Sequence, residues 1–303
     1  MELSDVTLLE QARAGDRRAL EALLSRHQRR VYRFGLKMCR DPEDAKDVLQ
    51  ETLLAVARNV KDFRGASSVS TWLYTIARSF CIKKRRRSKF APEVEESIDS
   101  RGPGLEARQI LDPARGPDEE LAGRQIESAL EQAIAGLEPM YREVLVLRDV
   151  EGLTAPEVAE VMELSVEAVK SRLHRARVAV REAIAPLLGV PEPAGAVPIA
   201  AARPAQAAPA EPLRAAAPSA PALAGVGCPD IVQLFSEHLE GEISATVCAD
   251  MEQHLSRCPA CRSKCDSLQQ TLALCKAAPL PEVPQAVQAD VRRALQRFIE
   301  LHQ

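Results

Sequence analysis

The sequence predicts an all-α protein. Aromatic residues make up only 3% of the chain, a composition that disfavours a sheet core. Ala, Leu, Glu and Arg dominate the periodic segments, where apolar residues recur at helical spacing. A hydrophobic content of 46% over 303 residues is ordinary for folded protein and long enough for two or three compact domains.

The net charge of −3 names no partner, because basic and acidic residues are segregated into local clusters. No apolar run reaches roughly eighteen residues, and the start MELSDVTLLEQARAGD lacks the basic-then-apolar layout of a signal peptide. The expectation is a cytoplasmic protein without membrane contact. There, the eight cysteines are expected as reduced thiols, metal ligands or redox sensors rather than a disulfide framework.

Two compositional breaks divide the chain. Residues 91–120 are rich in Pro, Gly and charge without a sustained apolar period. Residues 189–226 are Ala/Pro low complexity, unable to bury a core and expected as an extended, semi-stiff tether. Residues 8–90, 121–188 and 227–303 remain as folded units.

In the first unit, DPEDAKDVLQETLLAVARNV sets Ala45, Val48, Leu49, Thr52, Leu53 and Val56 on one helical face and leaves Asp47, Gln50 and Glu51 on the other. Downstream, STWLYTIARSFCIKKRRRSKF begins as an apolar-patterned helix, with Trp72 read as core, and ends in Lys83, Lys84, Arg85, Arg86, Arg87 and Lys89. Like charges packed that densely repel one another, so a polyanion such as nucleic acid is the simplest compensation.

The second unit carries a helix, a short turn and a helix in LTAPEVAEVMELSVEAVKSRLHRARVAVREAI. Thr154 and Glu157 form a capping-box pattern with Pro156 in the first turn, and Ser165 is the expected N-cap of the next helix. Val166, Val169, Leu173 and Ala176 make the inward stripe of that helix. Glu167, Lys170, Ser171, His174, Arg175 and Arg177 are expected to project outward with Arg172 beside them, polar residues first and cations later, as a major-groove recognition helix requires.

DPEDAKDVLQETLLAV, then FRGASSVSTWLYTIARSF, then the helix-turn-helix, in that order and spacing, resemble the bacterial extracytoplasmic-function sigma factors from about Leu9 to Leu188. The resemblance implies two helical DNA-binding domains, region 2 over 8–90 and region 4 over 121–188, joined by a flexible linker and docked on RNA polymerase core across two promoter elements. It implies that Asp47, Gln50 and Glu51 contact the polymerase clamp. The stretch from Asp62 to Arg87 would open the element near the start site, and Glu167, Lys170, Ser171, Arg172 and Arg175 would read the upstream one. Such a protein is not itself an enzyme. Cys81 stands where many relatives carry a polar residue, and is either a packed small hydrophobe or a thiol sensor.

The last unit holds HLSRCPACRSKC. His254, Cys258 and Cys261 have the spacing of three metal ligands at a helix end, with zinc the default ion. Cys228 is the preferred fourth ligand and Cys265 its competitor, while Cys248 and Cys275 read as core and His238 is set aside. The span from Gly227 to Leu274 resembles the zinc-binding anti-sigma domain, with its H-x3-C-x2-C after an L-x-G-E turn. In that family the module clasps a sigma factor and blocks polymerase docking. Here it is fused, which implies an intramolecular contact with the sigma domains and a site that is either structural or sensory. The helix after Pro284, striped with Val287, Val291, Leu295 and Ile299, could lie on its own module or between the sigma domains. The rival reading is a helix-turn-helix activator or repressor with a structural zinc docking module. The Asp47/Gln50/Glu51 helix and the WLYTIAR segment argue against it.

Overall fold

A computed structural model describes residues 3–39, 41–63, 65, 67–90, 117–188 and 228–301. Residues 91–116 and the whole Ala/Pro tether lie outside the described residues, as do the side chains of Arg87, Lys89 and Ile299. Among the described residues there are twelve α-helices and no strand.

The first unit comprises α1 (Asp5–Arg13), α2 (Arg17–Cys39), α3 (Pro42–Asn59) and α4 (Val69–Phe90). Local signals set its boundaries: Ser4 caps α1, while Asp41 caps α3 by accepting from the Glu43 amide at 2.7 Å, with Pro42 in the first turn. α2 and α3 approach closely at Gly35, where a Cβ would meet Ala45 at 3.2–3.3 Å, so a larger residue would wedge them apart. Between them and α4 lie Phe34, Leu49, Leu53, Leu73 and Tyr74, all fully or nearly fully buried. Each such side chain stabilises the unit by about 1.5–3 kcal/mol relative to exposure. Trp72 packs against this core and stacks on Phe63 at 4.6 Å.

The second unit starts with α5 (Pro117–Gly136), inside the stretch expected as linker; a proline opens a helix readily because its fixed φ suits the first turn. α6 (Pro139–Leu145) runs into a five-residue π turn (Val146–Val150), followed by α7 (Ala155–Met162) and α8 (Val166–Ile184). The capping box at Thr154 and Glu157 forms with both its bonds, and Ser165 caps α8 through the Ala168 amide. Glu163 closes α7 in the left-handed conformation at φ 57°.

The two units lock together through buried carboxylates. Glu151, its side chain fully buried, accepts from Arg33 Nε and Nη2 at 2.8 and 2.9 Å and from the Tyr74 hydroxyl at 2.6 Å. Glu143 takes Arg78 at 3.0 Å and Arg85 at 2.5 Å, and Glu157 accepts from Ser68 and Thr71.

The third unit is α9 (Ile231–Leu239), α10 (Ala245–Arg257), α11 (Pro259–Ala277) and α12 (Gln285–Leu301). α9, α10 and α11 share a small core around Ile231, Met251, Leu268 and Leu272. α11 also leans on α8 and the π turn. α12 returns across the molecule to α3, and Val287, Val291 and Leu295 join the core of the first unit. The expected placements are on its own module or between the sigma domains; the structure instead seats α12 on α3 of the first unit.

Candidate functional site

The outer face of α3 keeps Asp47 and Glu51 exposed and Gln50 half-buried. Gln50 is bordered by Asp290, Arg293 and Arg297 of α12. On α4, Lys83 and Arg86 are exposed, but their neighbours are engaged. Lys84 pairs with Asp44 at 3.0 Å and with Asp47 at 2.5 Å, and Arg85 with Glu143. The hydrogen bond from Lys84 to Asp47 leads the causes that hold the Lys84 ammonium above its ordinary value.

On α8, Glu167, Ser171 and Arg175 are exposed and Arg172 is half-buried. Lys170 meets Glu242 at 2.5 Å, and His174 Nε2 lies 4.0 Å from Asp230. Arg177 corrects the expectation of an outward cation: it is 2% exposed. Position 177 falls one turn beyond Leu173 on the inward stripe, and burying a guanidinium there requires anionic partners. Asp149 supplies two hydrogen bonds at 2.9 and 2.7 Å, and Glu240 a third at 3.1 Å. Glu240 also holds Arg148 at 2.9 and 3.1 Å. The turn joining α9 to α10 thus grips α8 with carboxylates.

The cysteine–histidine cluster grows from three helix ends. α10 stops and α11 starts at Cys258, whose extended backbone (φ −115°, ψ 98°) makes the break, with Pro259 opening α11. His254 therefore stands on the last turn of α10, Cys261 on the first turn of α11, and Cys228 arrives from before α9. Their donor atoms all lie within 4.8 Å of one another. A tetrahedral ion with metal–sulfur bonds of about 2.3 Å sets sulfurs about 3.8 Å apart. Cys228 and Cys258 stand at that separation, 3.8 Å. The His254 Nε2 atom is buried without a hydrogen-bond partner among the described residues, as a donor atom reserved for a ligand would be. A hydrogen bond from the Cys261 amide pulls the Cys258 thiol below its ordinary range, and burial pushes Cys261 up to about 12. The residues present fit a zinc-type ion. Cys265 is outside the cluster, buried in the small core.

Cys275 is fully buried, as expected. Cys248 is not core: it is half-buried, 3.7 Å from His238 Nδ1 and 3.8 Å from a Glu252 oxygen, because the Met251 side of α10 turns inward without it. Sequence reasoning missed Glu143, Glu151 and Glu240. The only signal was the L-x-G-E turn, which contains Glu240 and Glu242.

Residues 23–90 match the family Sigma-70 region 2, residues 127–180 match Sigma-70, region 4, and residues 228–262 match a zinc-finger family. The chain is 31% identical over 188 residues to RNA polymerase sigma-H factor of Pseudomonas aeruginosa, covering 61% of this chain and 95% of that one. It is 30% identical over 191 residues to ECF RNA polymerase sigma-E factor of Haemophilus influenzae, covering 62% and 98%. The chain belongs to the extracytoplasmic-function sigma factors. Among solved structures, this sigma factor is similar to CnrH in complex with the cytosolic domain of CnrY, at 25% identity, with 59% of this chain and 95% of that chain covered and a TM-score of 0.42. The zinc-finger match contains all four residues of the cluster, so this sigma factor carries an anti-sigma-like part on the same chain. Among its described residues no helix is long and apolar enough to cross a membrane.

Proposed function

We propose that this sigma factor directs RNA polymerase core to promoters in the cytoplasm and holds itself inactive through its own C-terminal unit. The observation that carries the reading is the seating of that unit on both working surfaces. Glu240 and Glu242 engage Arg177 and Lys170 of α8, while α12 lies along α3 beside Gln50.

Asp47, Gln50 and Glu51 would form the polymerase contact. Lys83, Lys84, Arg85, Arg86 and Arg87 would neutralise DNA phosphates near the start site, and Glu167, Lys170, Ser171, Arg172, His174 and Arg175 would face the upstream element. Arg177 is left out because its charge is already satisfied. In the closed arrangement Lys84, Arg85, Lys170 and His174 face carboxylates of this chain, so DNA must displace them. The chemistry of RNA synthesis belongs to the polymerase.

Cys228, His254, Cys258 and Cys261 would hold zinc, which ties the starts of α9 and α11 to the end of α10 and supplies folding free energy to a unit with a small core. Run-off transcription with core polymerase, comparing the full chain with one ending near Gly189, each with and without chelator, tests the reading. The shortened chain is expected to be more active, with chelation raising only the full chain toward it. A shortened chain that binds core but fails to transcribe would reverse the proposed direction of control.

A further inference from the structure

Away from the metal cluster, a second thiol pair lies inside the first unit. Cys39, the last residue of α2, and Cys81, in the middle of α4, bring their sulfurs to 3.4 Å. Cys39 is half-buried, whereas Cys81 is 1% exposed. We propose that Cys39 and Cys81 form a peroxide-oxidisable dithiol, with Cys39 the attacking thiol and Cys81 the resolving one. This goes beyond self-inhibition, because both thiols belong to one unit and neither touches the C-terminal cluster.

The geometry supplies both requirements of such a pair. The partner sulfur is already at van der Waals contact, so joining the two needs only a small approach along the α2–α4 seam. The attacking sulfur is the more accessible one. With both thiols protonated, Cys39 donates to Cys81 at 3.4 Å; once Cys39 ionises, the bond turns round and Cys81 becomes the donor, which lowers the Cys39 pKa and raises that of Cys81.

The chemistry closes with a hydroperoxide as oxidant. The Cys39 thiolate attacks a peroxide oxygen; an S–O bond forms, the O–O bond breaks, and the alkoxide or hydroxide leaves and takes up a proton. The resulting sulfenic acid is attacked by Cys81, which gives up its proton as the S–S bond forms and hydroxide departs as water. Two thiols and one hydroperoxide become one disulfide, one alcohol or water, and one further water, with two electrons passing from sulfur to oxygen. The cross-link would fix α2 to α4 one turn before Lys84 and Arg85, whose partners Asp44, Asp47 and Glu143 border the same seam.

The test uses the metal-loaded full chain. It is exposed to a small molar excess of hydrogen peroxide, blocked with N-ethylmaleimide and digested without reductant. The expected product is a peptide pair joined through Cys39 and Cys81, two hydrogens lighter than its parts and separated by dithiothreitol. Cys81→Ser should leave Cys39 as a sulfenic acid that dimedone captures, and Cys39→Ser should leave Cys81 reduced. Recovery of both cysteines as maleimide adducts, while a free thiol in the same solution is oxidised, overturns the proposal. So does Cys39 found as sulfinic acid in the wild-type chain, or joined to any cysteine other than Cys81.

Discussion

Replacing Glu240 with alanine should release the C-terminal unit from α8. The Glu240 side chain is 8% exposed and accepts from Arg148 through two nitrogens and from Arg177 through one. Hydrogen bonds to charged groups contribute about 1.5–3 kcal/mol each, and breaking a buried pair costs about 3–5 kcal/mol when the other charge is stranded. Neither arginine is fully stranded: Arg177 keeps Asp149, and the Arg148 side chain is 22% exposed and regains water. The net loss is therefore about 2–3 kcal/mol, which shifts the closed-to-open ratio about 30- to 150-fold. Run-off transcription by the full-length variant should rise by that factor, or to the level of the chain ending near Gly189 if that is reached first. Glu242→Ala is the internal control. Its pair with Lys170 is about one-third exposed on each side, worth about 0.2–1 kcal/mol, so its effect should stay below about fivefold. Equal responses from the two variants, or a silent Glu240→Ala protein beside an active shortened chain, would refute the argument that the buried carboxylate is the latch.

Glu151→Ala strands Arg33, whose side chain is 9% exposed, and should cost about 3–5 kcal/mol, read as a lower urea midpoint for the full chain. Thr154→Ala removes one half of the capping box and should cost about 1 kcal/mol; Glu157→Ala should cost more in the same assay, because Glu157 also accepts from Ser68 and Thr71. Burial holds the His27 imidazole below its ordinary value despite the Asp5 oxygen at 2.8 Å. A depressed folded-state value means the stability is fully present above the unfolded value near 6.5 and is lost as pH falls through the folded one. Partial burial pushes Asp5 up, but its bonds to Arg26 and His27 together keep it lowered, so it stays charged across that window. The protection factors of the α1 amides, observed exchange corrected for the intrinsic slowing of exchange in acid, should therefore fall as pH is lowered below about 6.5, and His27→Gln should flatten that dependence.

What could be read in the sequence was local. The Thr154 box, the Ser165 cap and the Ala45-to-Val56 stripe each depend on residues within a few positions of one another, and all stand as expected. The four cluster residues were legible because three sit within one helix break. Longer-range matters were not. Arg177 carries the charge of a DNA-facing residue but the spacing of a core residue, and only Asp149 and Glu240, 28 and 63 positions away, settle which prevails. The stripe of α12 announces an apolar face without naming α3 as its seat. Cys39 gave no signal at all, since its partner Cys81 is 42 residues downstream.

The π turn of residues 146–150 carries a consequence for how sharply the molecule responds. Its wider winding fans out successive side chains. Arg148 and Asp149 reach the C-terminal unit and α8, and Glu151, next in the chain, reaches α2. Arg33 answers from α2 by binding both Glu151 and the Ala278 carbonyl beyond α11. One short segment is thus the common keystone of two closures that would otherwise be separate. Thermodynamic reciprocity then requires that opening the first closure weaken the second by the same factor as opening the second weakens the first. Loss of the Glu240 contacts and loss of the Arg33–Glu151 contact should accordingly appear as one cooperative transition and not as two.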